Sequence, residues 1–442
     1  MTRSTFPVSH TSSPQARHPE RWAAAALLAG LAVLAGHFYG PDLQFRLGIG
    51  MALGYTLSRA ALGFAGSVNR AYNTGSTRLM QALMGLFFLS ALLTTGVMVA
   101  AGPTALDLWI NPINGGLLLG GLLFGFGMTF SSCCASGVLT DLVTGPPRAL
   151  VTLVFFSAGV FLGFPVQQKA SLVTQSWLTT PTGAALDKGG VFLPDLFAWD
   201  GTGGYLGALL LTGALCLSVV WLSRQYQGRR ERLGRLGYVP SERRQDELRQ
   251  QRRREQAGAE LRGGWLTEAG YQRLFVRPWT MAEGATVLAV LFFLLMAVTG
   301  SGWGASTPYG LWFGQALMAL GVSPERLGEW TGLGAKPFLI PFFQHPITVQ
   351  NIGITLGVVL FLLMSDRLRQ VVRSALHLTP KEAGLYALGG LCMGVGTRLA
   401  NGCNVGALFT PIANFSLSGW IFLVVMVIGG VAGNRFLRRM TP

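Results

Sequence analysis

Charge is scarce in this sequence. Asp, Glu, Lys and Arg make up 12% of its 442 residues, against about 25% in a typical soluble domain. The shortage is uneven: Trp22 to Tyr39, Leu79 to Leu106, Tyr205 to Ser223, Ala285 to Gly304 and Pro346 to Ser365 contain none of the four. A helix that crosses a bilayer needs roughly 20 apolar residues, so each stretch is long enough, with tilt, to span one. A single soluble domain would have to bury several uniformly apolar helices of that length. The composition therefore excludes the soluble classes and predicts a polytopic, all-α membrane protein.

Metal-ligating and nucleophilic side chains are also few. There are five Cys and five His. Cys133 and Cys134 are adjacent rather than spaced as C-x2-C, with no His nearby, so the pattern does not read as a metal centre. No phosphate-binding motif is present, which argues against ATP hydrolysis within this chain. No cofactor motif accompanies either thiol, and no cofactor is expected. His37, His345 and His377 are isolated and read as interfacial residues.

The net charge of +15 has a local source. Residues 224 to 262 hold twelve Arg and six acidic residues. Positive-inside bias accounts for such a run beside a membrane; nucleic-acid binding is not needed to explain it. The remaining basic clusters are Arg3/Arg17/Arg21, Arg59/Arg70/Arg78, Arg148, Arg367/Arg369/Arg373/Lys381 and Arg435/Arg438/Arg439, whereas 102–112 has no cation. Placing the clusters in the cytoplasm puts both termini and the linker there, in a bacterial inner membrane. Ten crossings are expected, near 22–40, 44–62, 79–101, 113–131, 149–166 and 204–223, then 285–303, 346–364, 384–400 and 418–436. Residues 309–321 are apolar but short and read as re-entrant or interfacial. The division is a cytoplasmic arm (1–21), a first half (22–223), a basic linker (224–283) and a second half (284–442). The arm reads as a short tail rather than a cleaved signal.

An internal repeat carries the most information. Residues 120–137 (GGLLFGFGMTFSSCCASG) and 389–406 (GGLCMGVGTRLANGCNVG) share seven of eighteen positions without a gap, including Cys134/Cys403 and Gly137/Gly406. After one inserted residue the likeness continues through Leu153/Leu423, Gly159/Gly429 and Gly163/Gly433. The flanking charges predict opposite senses of crossing, an inverted-topology repeat, which places a substrate site near the midplane between broken helices. Glycines at helical spacing allow close packing. The small polar stretches Ser131 to Gly137 and Asn401 to Gly406, set in apolar surroundings, read as breaks facing a common path, because polar backbone at that depth must be buried in protein or line a cavity.

Amides at the start of a half-helix attract anions, and a thiol adds a soft, polarizable contact. The pattern therefore suits a sulfur-bearing anion, with Cys134, Cys403, Arg398, Cys133, Ser132, Asn401, Gly137 and Gly406 as candidate path residues. Arg398, the only cation between Lys381 and Arg435, is a candidate for attracting the substrate, with a snorkelling arginine as the alternative. Asp141 is the only charge in 113–147. Cys216 and Cys392 read as packing residues. Cys133 reads as a neighbour of the path or a second thiol on it. A Cys134–Cys403 disulfide stays open.

The two repeat segments, together with GIGMALGYTLSRAALGFAGSVNRAY at 48–72, resemble the signatures of the YeeE/YedE family of sulfur-transport membrane proteins. The resemblance covers most of both halves and leaves out the arm and the basic linker. It implies an hourglass fold with two facing constrictions, with Cys134 at one and Cys403 at the other, between which thiosulfate passes by successive S–H···S contacts. Other family members are linked to selenium metabolism. The family's first signature ends in Phe-Cys, where this chain has Leu62-Gly63, so a third thiol is missing. The function expected is a transporter or facilitated channel for a small sulfur-containing anion, thiosulfate first. The alternatives are a selenium compound as cargo, a membrane persulfide sulfur carrier, or a scaffold whose linker docks a soluble sulfur-transfer protein.

Overall fold

The computed structural model describes residues 19–131, 133–257 and 268–440, without the side chains of 249, 251–257 and 269. Nearly all of the arm expected at 1–21 and part of the linker lie outside them. The described chain is helical with no strand; three isolated bridges, Asp107 with Ser301, Pro112 with Gly190 and Phe192 with Ser416, join the loops.

The first half contains α1 (Pro19–Phe38), α2 (Pro41–Arg59), α3 (Gly66–Thr74), α4 (Arg78–Ala101), α5 (Gly115–Ser131), α6 (Ala135–Thr144), α7 (Pro146–Lys169) and α8 (Tyr205–Arg232). Helix α9 (Pro240–Ala257) lies in the linker. The second half contains α10 (Met281–Thr299), α11 (Thr307–Ala319), α12 (Pro346–Met364) and α13 (Pro380–Leu399). A π-helix (Asn404–Phe409) then runs into α14 (Thr410–Ala413), and α15 (Leu417–Met440) closes the chain.

Starts of these helices are written in the sequence. Proline stands in the first turn of α2, α7, α12 and α13, where its missing N–H costs nothing. Capping boxes open α10 (Thr280 with Glu283) and α13 (Thr379 with Glu382), each satisfying two end amides.

Among the described residues, eight helical stretches are long and apolar enough to cross a membrane, with α5 and α6 counted as one run. Two of the ten expected crossings, α2 and α13, are helices of spanning length that fall outside this set. Their composition explains it: α2 carries Asp42, Arg46 and Arg59, and α13 carries Lys381, Glu382 and Arg398. The short segment expected near 309–321 is α11, packed on α7.

Backbone contact organises the core. A Cβ on Gly120 would lie 2.6 Å from the Gly396 carbonyl oxygen, and one on Gly127 would lie 2.6 Å from that of Gly389. These pairings make α5 and α13 antiparallel neighbours. Helix α5 also lies along α15, where Gly125 meets the Met426 carbonyl and Gly429 meets that of Leu122. Helix α13 lies along α7, where Gly394 meets the Phe156 carbonyl and Gly159 meets that of Leu391. In the repeat register Gly125 corresponds to Gly394, Met426 to Phe156, Gly429 to Gly159 and Leu122 to Leu391. The sequence repeat is thus also a repeat of contacts. Glycine permits this because dispersion falls steeply with separation and interhelical packing gains from close backbones.

The basic segment is built into the fold. Helix α8 runs past the apolar stretch to Arg232, and α9 docks on the start of α4. Glu242 of α9 is fully buried and accepts a 3.0 Å bond from Ser76 Oγ. Arg78 Nη1 lies 2.7 Å from both Asp246 carboxylate oxygens, and Gln245 donates to the Trp279 carbonyl at 2.7 Å. Arg59, at the end of α2, donates to the carbonyls of Arg277 (2.9 Å) and Arg273 (3.1 Å) and sits over the Trp279 ring. Glu20 and Arg21, read as part of the arm, belong to α1. Glu20 accepts from the amides of Leu368 and Arg369, and Arg21 pairs with Asp366 and Glu268.

Gly127→Val puts a branched side chain where the Gly389 carbonyl now lies and is expected to destabilise the fold by about 1–3 kcal/mol. Gly36→Ala, whose Cβ meets nothing within 4 Å, is expected to leave it unchanged. Thermal unfolding of the two variants in the same detergent checks the contrast.

Candidate functional site

The two breaks share one geometry. Cys134 is the N-cap of α6 (φ −125°, ψ −175°), and Cys403 is the N-cap of the π-helix (φ −92°, ψ −168°). Each carbonyl accepts the first bond of its helix, from Val138 N at 2.8 Å and from Ala407 N at 2.6 Å. Both residues are buried in the main core, 1% and 0% exposed. All five cysteines are free, so the disulfide left open above is not formed here.

The Cys134 sulfur sits 3.4 Å from Ser136 Oγ. The first-turn amides of α6 have no acceptor within the helix, so its start is a favourable place for an anion. A Cβ on Gly137 would lie 3.6 Å from Cys134 Sγ, and one on Gly406 would lie 2.6 Å from the Trp109 ring. The Gly406 carbonyl accepts from Asn111 Nδ2 at 3.3 Å.

Between the breaks stands Tyr309 of α11, fully buried. Its hydroxyl donates to the Ala135 carbonyl at 2.6 Å and lies within electrostatic range of Cys133, Cys134 and Cys403. Nothing in the sequence singled it out, since it sits in an apolar, glycine-rich stretch that reads as a short helix. The one signal was the Ser301 to Gly310 run, which has the same small-residue character as the two breaks.

Arg398 is 5% exposed. Its Nη1 donates to Gln167 Oε1 at 3.3 Å, and Gln167 Nε2 donates to Asn401 Oδ1 at 2.7 Å. The guanidinium carbon is 5.2 Å from the Phe164 ring centroid, and Nε has no partner among the described residues. Among the described residues no carboxylate pairs with it. The stem passes over Gly163, where an added Cβ would come within 2.5 Å of Arg398 Cβ. Asn401 has a left-handed backbone (φ 56°), a conformation asparagine tolerates better than most residues. Arg398, Asn401 and Gly402 line a cleft of 810 Å3 that reaches the 102–112 loop. At its rim, Lys188 pairs with Asp107 at 2.9 Å. His345 also lines it, and burial holds its imidazole below the ordinary pKa.

The remaining candidates separate. Cys133 is 5% exposed and lies within electrostatic range of the Asp141–Arg148 ion pair (3.1 Å) rather than in the 810 Å3 cleft. That pair gives the isolated Asp141 a partner. Ser132 lies outside the described residues. Cys392 Cβ is 2.9 Å from where a Cβ of Gly127 would be, a packing position on α13, and Cys216 is buried in α8. At Gly63, where the family resemblance places a cysteine, a Cβ would meet nothing within 4 Å. Thr129, which the repeat pairs with Arg398, is buried against Gly433 and donates to its own helix at Phe126.

Tyr309→Phe removes the bond to Ala135 and leaves a buried carbonyl short of a donor. A loss of about 1–2 kcal/mol is expected, read as a lowered melting temperature in detergent.

A family model described as sulphur transport matches residues 59–432. A protein named probable transporter YedE from Salmonella typhimurium is 29% identical over 170 residues, 37% of this chain and 39% of that protein. The one of the same name from Escherichia coli is 27% identical over 166 residues, 36% and 38% of the two. The matched stretch thus spans under two-fifths of these relatives' length.

Proposed function

The chain belongs to the sulphur-transport family, and on that premise we propose that it is a membrane transporter that passes thiosulfate between Cys134 and Cys403. One observation carries the reading: both thiols head the half-helices of equivalent breaks, both are buried in the main core, and both lie within electrostatic range of the Tyr309 hydroxyl. A soft terminal sulfur meets a weak S–H donor at each thiol. The anion's oxygens meet amides, at Cys134 those of the first turn of α6. Nothing in this scheme requires a bond to form or break; the solute moves from one set of contacts to the next.

The antiparallel pairing of α5 with α13 and the matched glycine contacts support an inverted-topology repeat. The cation-poor loops then face outward, the basic clusters and both termini face the cytoplasm of a bacterial cell, and the 810 Å3 cleft is the outer mouth. In this frame Cys403 is the outer thiol and Cys134 the inner one. The docked α9, on which Arg243 and Arg244 are exposed, then faces the cytoplasm, where a soluble sulfur-transfer protein would collect the product.

Uptake of labelled thiosulfate by cells that lack other sulfur importers tests the reading. Cys134→Ala and Cys403→Ala are each expected to lower it at least about tenfold, the equivalent of roughly 1.4 kcal/mol on the passage, with the protein still present in the membrane. Normal uptake by the double variant would remove the thiols from the mechanism. Gly63→Cys, for which there is room, is expected to be tolerated and to leave uptake unchanged or raised.

A further inference from the structure

The cleft lined by Gly402, the residue before Cys403, has a chemistry unlike that of the thiols. Among the described residues its lining contains neither cysteine nor methionine. At its floor lies a guanidinium that is 5% exposed, with one long bond to Gln167 and an unpartnered Nε. A buried cation without a carboxylate is costly until an anion arrives. The carboxylates that line the cleft do not meet this need. Asp107 is held by Lys188 at 2.9 Å and by Ser301 Oγ at 3.0 Å, and Asp187 is exposed at the rim.

Gln167 fixes what the floor offers. Its oxygen faces Arg398 and its nitrogen faces Asn401, so both of its polar ends are used inside the protein. Asn401 has its oxygen engaged by that bond, which leaves its amide nitrogen as the group to donate. Arginine contributes its own N–H groups, suited to pairs of oxygens on a tetrahedral or planar anion. All of these are hard N–H donors that read charge and oxygen. None can distinguish a sulfur from the oxygen it replaces by the contact that a thiol would make.

We propose that the floor of this cleft is a separate holding site for tetrahedral oxyanions, formed by Arg398 and Asn401 with Gln167 as their positioning residue, and that the choice of sulfur is made only afterwards at the thiols. The proposal rests on the transport reading above and adds a stage to it. Sulfate, which has an oxygen where thiosulfate has its outer sulfur, binds the holding site nearly as well, competes with thiosulfate for entry, and does not pass.

Binding of labelled sulfate and of labelled thiosulfate to the purified full chain in detergent tests this apart from transport. The two affinities are expected to agree within about threefold, under 1 kcal/mol by the usual conversion. Binding of both is expected to survive the combined Cys134→Ala and Cys403→Ala changes. Arg398→Gln is expected to weaken both at least about tenfold. Gln167→Glu is the sharper variant. It keeps the shape but sets a carboxylate against Arg398, so anion binding is expected to vanish while the melting temperature holds or rises, an outcome that a purely structural glutamine would not give. Excess sulfate is expected to inhibit thiosulfate uptake competitively. The proposal is overturned if sulfate does not bind, if thiosulfate binding disappears with the thiols, or if Gln167→Glu binds as the native protein does. Normal uptake by the double cysteine variant would sink the transport reading and leave these binding results standing.

Discussion

Backbone lying on backbone, with no side chain between, is the constraint on which the rest of this structure depends. At Gly120/Gly396 and Gly127/Gly389, α5 and α13 approach until carbonyl oxygens stand where a methyl group would be. In a bilayer the usual drive to hide apolar surface from water is absent between helices, so intimate packing has to supply cohesion. The same contact has a positional result. Two helices that run in opposite directions along this seam each end in a break, and the seam brings Ser131 of one against Met393 of the other, 3.7 Å apart. The polar backbone of the breaks is thereby enclosed by protein rather than by lipid.

Much of this was legible in the sequence because glycine and cysteine carry so much positional meaning. The apolar stretches marked the spanning helices, and the Gly–Cys register marked the breaks at Cys134 and Cys403. The match of Gly159 to Gly429, seen in the sequence only as a continued likeness, corresponds to equivalent contacts on α7 and α15. What could not be read were contributions that exist only through a partner distant in the chain. Tyr309 is an ordinary aromatic in an apolar segment until the fold sets its hydroxyl on Ala135, 174 positions away. Gln167 looks like the polar end of a spanning helix until Arg398 and Asn401, more than 200 positions on, meet its two ends.

The basic linker shows the opposite failure of local reading. Its arginines dominate the composition, and positive-inside bias explains them without further structure. The residues that anchor it are its acids and amides: Glu242, Gln245 and Asp246 grip Ser76, the Trp279 backbone and Arg78. Glu242 is fully buried, a state a carboxylate reaches only when paired, here by Ser76 Oγ and the Val239 amide. A run of charge therefore hid a docked helix, because the count of arginines outweighed the few residues that do the holding.

The two related breaks are chemically unequal, for where one carries Arg398 the other carries Thr129, folded back on its own helix. A passage with a well for negative charge at one mouth only fills faster from that mouth at low concentration. Detailed balance still forbids it from accumulating cargo: with no second process attached, the ratio of inward to outward flux depends on the gradient alone, however lopsided the well. On the transport reading, and for a passage with no coupled process, the asymmetry sets how fully one mouth is occupied and leaves the final distribution of the solute untouched.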